Sequence, residues 1–336
     1  MFAGVCFCPR GESFGKYAEV GNSVKHVFIV NPVSGKANAA LTLVPQIVEA
    51  AAGLGADHQV ELTQAVGHAA ELARRYAQAG PDKVRLYACG GDGTLNEVLE
   101  GAFGTGVAVG CVPCGSGNDF IRNFGARQDF LNLKDLMQGQ DVAIDMIRTE
   151  FGYSADICSV GLDAQVAYGI PKFRRLPLCG GSMAYNLSIA QQLCGRLGRV
   201  LDIEIDGKKT REDCLMVAVC NGTTYGGGFR AAPQARLDDG MLDVLVVHKV
   251  GLLRIASLLP VYKNGRHLRD GAVVPELADV IKYHRAREVH VRPADGKDFV
   301  VNVDGECTKR PRLSARIAPA SAKILLPQAL CPAMAL

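Results

Sequence analysis

Three short glycine-bearing stretches of this chain carry the residue types from which a phosphate site is made. The first is Cys89-Gly90-Gly91-Asp92-Gly93-Thr94-Leu95-Asn96-Glu97, directly after the apolar run at 84–88. An apolar strand running into a glycine turn, with a helix starting near Thr94, lets backbone approach a ligand closely and visit positive φ at little cost. The free N–H groups of the following helix favour an anion there. Asp92 would then face phosphate as one acid faces another, which makes sense with a cation between them. The competing reading is a plain β-turn capped by Asp92.

Two more strands end the same way. Residues 26–30 run into Asn31-Pro32-Val33-Ser34-Gly35-Lys36, and residues 107–112 into Pro113-Cys114-Gly115-Ser116-Gly117-Asn118-Asp119-Phe120. In an open parallel sheet such turns gather outside the carboxyl ends of the strands, where ligands bind. Lys36 is not a Walker A lysine, because the upstream glycine and following Ser/Thr are missing. Phosphoryl transfer asks mainly for positioning, charge neutralisation and a base for the acceptor proton. Further acids stand at strand ends: Asp119, Asp145, Asp239, Asp304 and Glu306. Capping explains Asp119 equally well, and a structural turn acid is the reading for Asp145. Asp304-Gly305-Glu306 closes an apolar strand. If that strand persists, both carboxylates project to one face and raise each other's pKa toward that of a usable base. A solvated turn pair is the alternative.

The elements that position these residues change in kind along the chain. Residues 24–148 alternate strand and helix, with a second strand at 58–63 and a helix opening near Gly67-His68-Ala69, which implies a parallel sheet with right-handed crossovers. After Asp145, strand-like segments dominate, as in Leu201-Asp202-Ile203-Glu204-Ile205, interrupted by helical stretches near 182–194 and 251–262. The fold class expected is α/β plus β: a doubly wound N-terminal sheet domain and an antiparallel C-terminal domain. Residues 322–327 form one more strand.

Asn31-Pro32-x-Ser34-Gly35, the Gly90–Glu97 stretch and Pro113-x-Gly115-Ser116-Gly117-Asn118-Asp119-Phe120 together resemble the diacylglycerol kinase catalytic-domain family, closest to its soluble bacterial lipid kinases of the diacylglycerol/sphingosine kinase group. Asn221-Gly222-x-x-x-Gly226-Gly227-Gly228, Leu237-Asp238-Asp239-Gly240-Met241-Leu242-Asp243-Val244 and Val303-Asp304-Gly305-Glu306 continue it in order. The resemblance implies an NAD-kinase-like sheet domain over 24–147, to which a strand in 320–336 returns, and a β-sandwich lipid-substrate domain over 148–319. It implies ATP and Mg2+ as cofactors, with Asn31, Pro32, Val33, Ser34, Gly35, Thr63, Gly91, Asp92, Gly93, Thr94, Leu95, Asn96, Glu97 and Ser116 around the nucleotide. A helix cap accounts equally well for Thr63, and a first-turn histidine for His68. It also implies a structural metal on the Asp239 carboxylate and the Arg236 and Met241 carbonyls, against a metal-free hairpin turn. Finally it places the proton acceptor in the triplet, with Glu306 favoured and Asp304 orienting it. The activity implied is phosphorylation of a lipid hydroxyl, most often diacylglycerol. NAD kinase, a sphingoid or ceramide kinase, and a non-catalytic regulator are the competing readings.

Composition sets outer limits. Hydrophobic content of 48% with 21% charged residues reads as globular. A net charge of +3, 6% aromatics and no tryptophan exclude a nucleic-acid platform as the expected partner surface. No apolar run is long enough to span a bilayer, so the expected location is cytoplasmic with transient membrane visits to the lipid substrate; a homodimer is compatible with this. Lys172-Phe173-Arg174-Arg175-Leu176-Pro177-Leu178 and the cluster Arg266, His267, Arg269 are candidate membrane contacts, or plain solvated surface. The twelve cysteines read as reduced thiols. Residues 1–23 read as a loose tail.

Overall fold

The computed structural model describes residues 24–35, 38–115, 117–174, 181–195 and 197–334. The expected tail at 1–23, Ser116 and the second half of the 172–178 loop lie outside the described residues. The chain runs β1 (Lys25–Val30), α1 (Ala39–Leu54), β2 (His58–Leu62), α2 (His68–Ala77), β3 (Val84–Gly90), α3 (Asp92–Ala102), β4 (Ala108–Pro113), α4 (Leu133–Met137) and β5 (Gln140–Thr149). It continues through β6 (Gly152–Ser154), β7 (Ile157–Gly161), α5 (Leu162–Arg174), α6 (Gly181–Leu193), β8 (Arg199–Ile205), β9 (Lys208–Cys220), β10 (Leu242–His248) and α7 (Leu252–Lys263). The last strands are β11 (Leu268–Arg269), β12 (Ala272–Val273), β13 (Ile281–Ala286), β14 (Glu288–Pro293), β15 (Phe299–Val303), β16 (Glu306–Arg310) and β17 (Leu313–Leu326).

In the N-terminal part the strand order is β2-β1-β3-β4, all parallel. Strands covered on both faces are apolar throughout, and β1 shows why: Val27 and Ile29 pack under α2 and α3, whereas Phe28 and Val30 pack under α1 and α4. Pairing of Val30 with Cys89 and of Cys89 with Val112 brings the ends of β1, β3 and β4 level. The three glycine turns therefore leave the sheet side by side.

The second part is a β-sandwich. β7, β9, β10, β13 and β15 form one layer, facing β8, β14 and the first half of β17 across a core that includes Val160, Val217, Val219, Val244, Val289, Leu313 and Ala315. The outer face of the first layer is covered by α5, α6 and α7, with Leu162, Leu193 and Ile255 in that contact. β17 serves both parts. Its start pairs with β14; after an irregularity between Ala318 and Ala322, residues 323–325 run parallel to β4.

Candidate active site

The three turns interlock through the carbonyl of Gly90 and the side chain of Asn31. The Gly90 carbonyl accepts the N–H groups of Cys114 (2.9 Å) and Gly115 (3.1 Å) and the Asn118 side-chain amide (3.0 Å). Asn31 Nδ2 donates to Thr94 Oγ1 at 3.1 Å, and Asn31 Oδ1 accepts Val33 N–H at 3.2 Å. Gly90 and Gly115 are required by close approach and not by positive φ. Gly91 is the helix N-cap at φ −95, and the helix begins at Asp92 rather than Thr94. A Cβ on Gly90 would lie 2.4 Å from Thr94 Oγ1, and one on Gly115 2.5 Å from Gly91 Cα. Loop approach, not backbone angle, excludes a side chain here. Gly35 combines both reasons, with φ +89 and a Cβ that would meet Cys114 O at 2.6 Å.

Asp92 opens α3 and accepts Phe120 N–H at 3.2 Å. Burial pushes its pKa up against the pull of nearby backbone donors, and the Asp119 charge adds to the rise. Asp119 is buried, pairs with Arg122 (3.1 Å) and accepts Gly227 N–H (2.5 Å). It thus ties the Gly226–Gly227–Gly228 loop of the sandwich to the third glycine turn. Four other expected nucleotide residues are used elsewhere. Leu95 is in the core. Asn96 donates to Tyr153 O at 3.3 Å. Glu97 accepts Gly67 N–H and Ala69 N–H at 3.0 and 3.1 Å, so it caps α2. Thr63 continues β2 by donating its N–H to Val30 O at 2.9 Å, and Gly67, not Thr63, is the α2 N-cap. Gly93 is helical and exposed, and a Cβ there would meet no atom within 4 Å.

The Asp304–Glu306 triplet differs from its expected geometry. β15 stops at Val303, and Asp304-Gly305 is a two-residue hairpin turn with φ 45 and 91. The two carboxylates do not share a strand face. Asp304 turns inward and accepts Ser154 Oγ–H (2.8 Å) and the N–H groups of Ala155 (2.7 Å), Asp156 (3.2 Å) and Ile157 (2.8 Å). Desolvation raises its pKa to about 6 despite those donors. Glu306 is exposed on the other side of the turn. Partial desolvation, then the charges of Glu97 and Glu100 on α3, hold its pKa above the usual carboxylate range. Asn302 steadies the turn from below by accepting Gly305 N–H at 2.9 Å.

Asp156 joins the acids Asp92, Asp119 and Asp304, a neighbourhood that the sequence pattern concealed. It enters β7 inside an otherwise apolar run, is buried, and is held well above the ordinary carboxylate pKa by desolvation and by Asp304, Asp92 and Asp119. A Cβ on Gly222 would overlap its Oδ1, at 1.9 Å, which accounts for glycine after Asn221. Asn221 fastens the same junction, donating to the Asp145 and Ala155 carbonyls at 2.8 Å each. Asp145 itself is a structural acid, as expected, accepting Gly240 N–H and Ala320 N–H at 2.7 Å each.

The loop expected to hold a structural metal is fastened to this junction by Gly240 N–H and by the Leu237 carbonyl, which accepts Asp145 N–H at 2.6 Å. Asp239 pairs with Arg285 and accepts Met241 N–H at 3.0 Å, while Arg236 pairs with Asp238. Both carboxylate oxygens of Asp239 therefore have protein partners. His267 leaves the expected basic cluster: it is fully buried, bonded to Ala231 O at 2.8 Å, and burial lowers its pKa. Cys111 and Cys114 are free thiols, both pushed up by burial. Among the described residues no helix is long and apolar enough to cross a membrane.

Comparison with known proteins converges on one family. Residues 25–149 match the diacylglycerol kinase catalytic domain, and residues 156–326 match the YegS C-terminal NAD kinase beta sandwich-like domain. The diacylglycerol kinase of Bacillus subtilis (strain 168) is 28% identical over 282 residues, 83% of this chain and 88% of that protein. That of Staphylococcus aureus (strain MRSA252) is 27% identical over 281 residues, covering 83% and 84%. A crystal structure of a diacylglycerol kinase from Bacillus anthracis str. Sterne shares the fold with TM-score 0.64 at 18% identity, covering 91% of this chain and 98% of that one. Another structure from the same organism reaches TM-score 0.69 at 21% identity over the same shares. With the two matches lying side by side and the sandwich match alone spanning half of its length, this chain belongs to the diacylglycerol kinase family, has a YegS-like C-terminal domain and is a kinase.

Proposed function

We propose that the protein transfers the γ-phosphoryl group of ATP to a lipid hydroxyl, with diacylglycerol as the acceptor and phosphatidate as the product. The observation that carries this reading is the position of Glu306: an exposed carboxylate with a raised pKa, set against the helix that begins at Asp92. The interlocked turns bring Asn31, Ser34, Gly35, Gly91, Gly93 and Thr94 to the phosphates through backbone N–H and hydroxyl groups, in the manner of a helix N-terminus binding an anion. Ser116 belongs to the third of these turns.

A magnesium ion fits at Asp92. A Cβ on Gly117 would come within 2.9 Å of Asp92 Oδ2, so the third turn leaves space there, and the buried Asn118 Oδ1, which has no partner, is one further hard oxygen donor. When bound with the nucleotide, magnesium neutralises phosphate charge and orients the γ-phosphoryl group. Glu306 takes the proton of the acceptor hydroxyl as the hydroxyl oxygen bonds to the γ-phosphorus and the bond from that phosphorus to the bridging oxygen breaks, releasing ADP. Asp304 does not touch the acceptor; it fixes the turn that aims Glu306. The lipid approaches from the sandwich, and the protein works at a membrane surface from the cytoplasmic side.

The test is transfer from γ-labelled ATP to a panel of diacylglycerol, sphingoid base, ceramide and NAD. Label in phosphatidate that depends on Mg2+ supports the reading. Label in NAD alone, or in none of the four, sinks it.

A further inference from the structure

Helix α7 is apolar on both sides. Ile255, Leu258 and Tyr262 pack inward on the sandwich. Outward stand Leu252, Leu253, Ala256, Leu259 and Pro260, with Leu253 90% and Leu252 50% exposed. A surface helix ordinarily turns a polar face to water. Single exposed leucines are unremarkable, but several on one stripe mark a contact surface.

Charge identifies what that surface meets. Residues 249–269 contain Lys249, Arg254, Lys263, Arg266 and Arg269 and no acid. Among the described residues only Lys249 of these is ion-paired, to Asp213. Arg254 donates to the Glu276 carbonyl, and the exposed Asp270 and Glu276 border the patch. Lys263, Arg266 and Arg269 are exposed at the C-terminal end of the stripe. Leucines flanked by cations without an acidic partner suit the boundary between headgroups and acyl chains of an anionic bilayer.

The patch is also coupled to the site. Lys263 lies 5.4 Å over the Phe229 ring, and its carbonyl accepts Arg230 N–H at 3.1 Å. The loop holding Phe229 and Arg230 is the one whose Gly227 N–H bonds Asp119 beside the nucleotide turns. We propose that the outer face of α7 is a docking surface for anionic lipid bilayer, with Leu252, Leu253 and Leu259 entering the headgroup boundary and Lys263, Arg266 and Arg269 meeting lipid phosphates. This deepens the lipid-kinase reading and rests on it for its purpose; the binding experiment needs neither nucleotide nor acceptor, so the two fail separately.

The full chain is sedimented with phosphatidylcholine vesicles, with and without phosphatidylglycerol. Binding is expected only to the anionic vesicles and falls as added salt screens the cations. Leu252→Asp with Leu253→Asp should weaken binding by about tenfold or more, from the apolar area no longer buried. Arg266→Glu with Arg269→Glu should weaken it about fivefold for each cation lost and flatten the salt dependence. Both variants should keep wild-type melting temperature and wild-type turnover of a short-chain acceptor dispersed as monomers. The proposal is overturned if wild type ignores both vesicles, or if the leucine variant binds as wild type does. It is equally overturned if that variant instead dissociates a dimer in sedimentation velocity, or if vesicle binding appears only after removal of residues 1–23.

Discussion

Gly115 and Gly305 sit in the two turns that the proposed function sets on opposite sides of the reaction, and they are glycine for different reasons. Gly115 meets Gly91 so closely that a Cβ would fall 2.5 Å from its Cα, whereas Gly305 stands in open space at φ 91. The nucleotide side is built by backbone packed on backbone, with the Gly90 carbonyl as the shared acceptor. The acceptor side is built by inward-turned carboxyl and amide side chains, Asp304 and Asn302, that hold a hairpin tip outward. The first construction gives a rigid cradle suited to an anion. The second gives one exposed acid, Glu306, whose pKa is raised by partial desolvation and the charges of Glu97 and Glu100 and to which the proposed function assigns the acceptor proton.

The sharpest way to break this comparison is Glu306→Gln, which keeps shape and removes basicity. kcat should fall by about 10²–10⁴-fold, with the KM for ATP close to wild type because the nucleotide turns are untouched. Steady-state kinetics decides it. A wild-type kcat would leave the sandwich turn without chemistry.

The paired glycine substitutions come next. Gly115→Ala should cost about 1–3 kcal/mol through forced backbone displacement and should weaken nucleotide binding in a titration. Gly305→Ala should cost about 1–2 kcal/mol from positive φ alone, leaving nucleotide binding unchanged. Equal effects on nucleotide affinity would erase the distinction between the two turns.

Asp304→Asn tests the clamp. An amide presents one acceptor oxygen to donors that now share two, and an unpaired buried donor costs about 1–3 kcal/mol. The pKa of Asp304 is raised from 3.8 to about 6 in the fold. Its contribution to stability is therefore fully present below about 3.8 and is lost as pH rises through about 6. Denaturant melts should show wild type and Asp304→Asn drawing closer over that window. A gap that widens with rising pH would mean that the charged form is the favoured one.

The placement of the glycine turns was legible from sequence because it follows from strand order: apolar strands covered on both faces read as apolar runs, and their turns fall at one sheet end. The division of labour between Asp304 and Glu306 was not. Strand alternation put both on one face, but a two-residue turn at Asp304 reversed the direction of its side chain. Asp156 was hidden because one acid in an apolar run carries no periodicity, and its neighbours Asp92, Asp119 and Asp304 are distant in sequence. Glu97 and Asn96 lay in the right stretch, yet the helix turns them away, to cap α2 and to bond Tyr153 O.

The smallest effect expected is also the most diagnostic of how Glu306 is tuned. Its pKa is raised first by desolvation and then by the charges of Glu97 and Glu100. Glu97 also caps α2, so changing it would loosen a helix as well as remove a charge. Glu100 makes the cleaner test. Glu100→Gln removes one like charge, so ionised Glu306 is less disfavoured and its pKa falls toward the ordinary carboxylate value. A base must be deprotonated to act, so kcat falls on the acid side as pH drops through that pKa. The acid limb of the kcat profile should therefore shift to lower pH in Glu100→Gln, with the neutral plateau equal to wild type or slightly lower because a weaker base takes the proton. Added salt should move the wild-type limb the same way by screening. An unshifted limb would mean that the group behind it does not feel the Glu100 charge, which excludes Glu306 as its source.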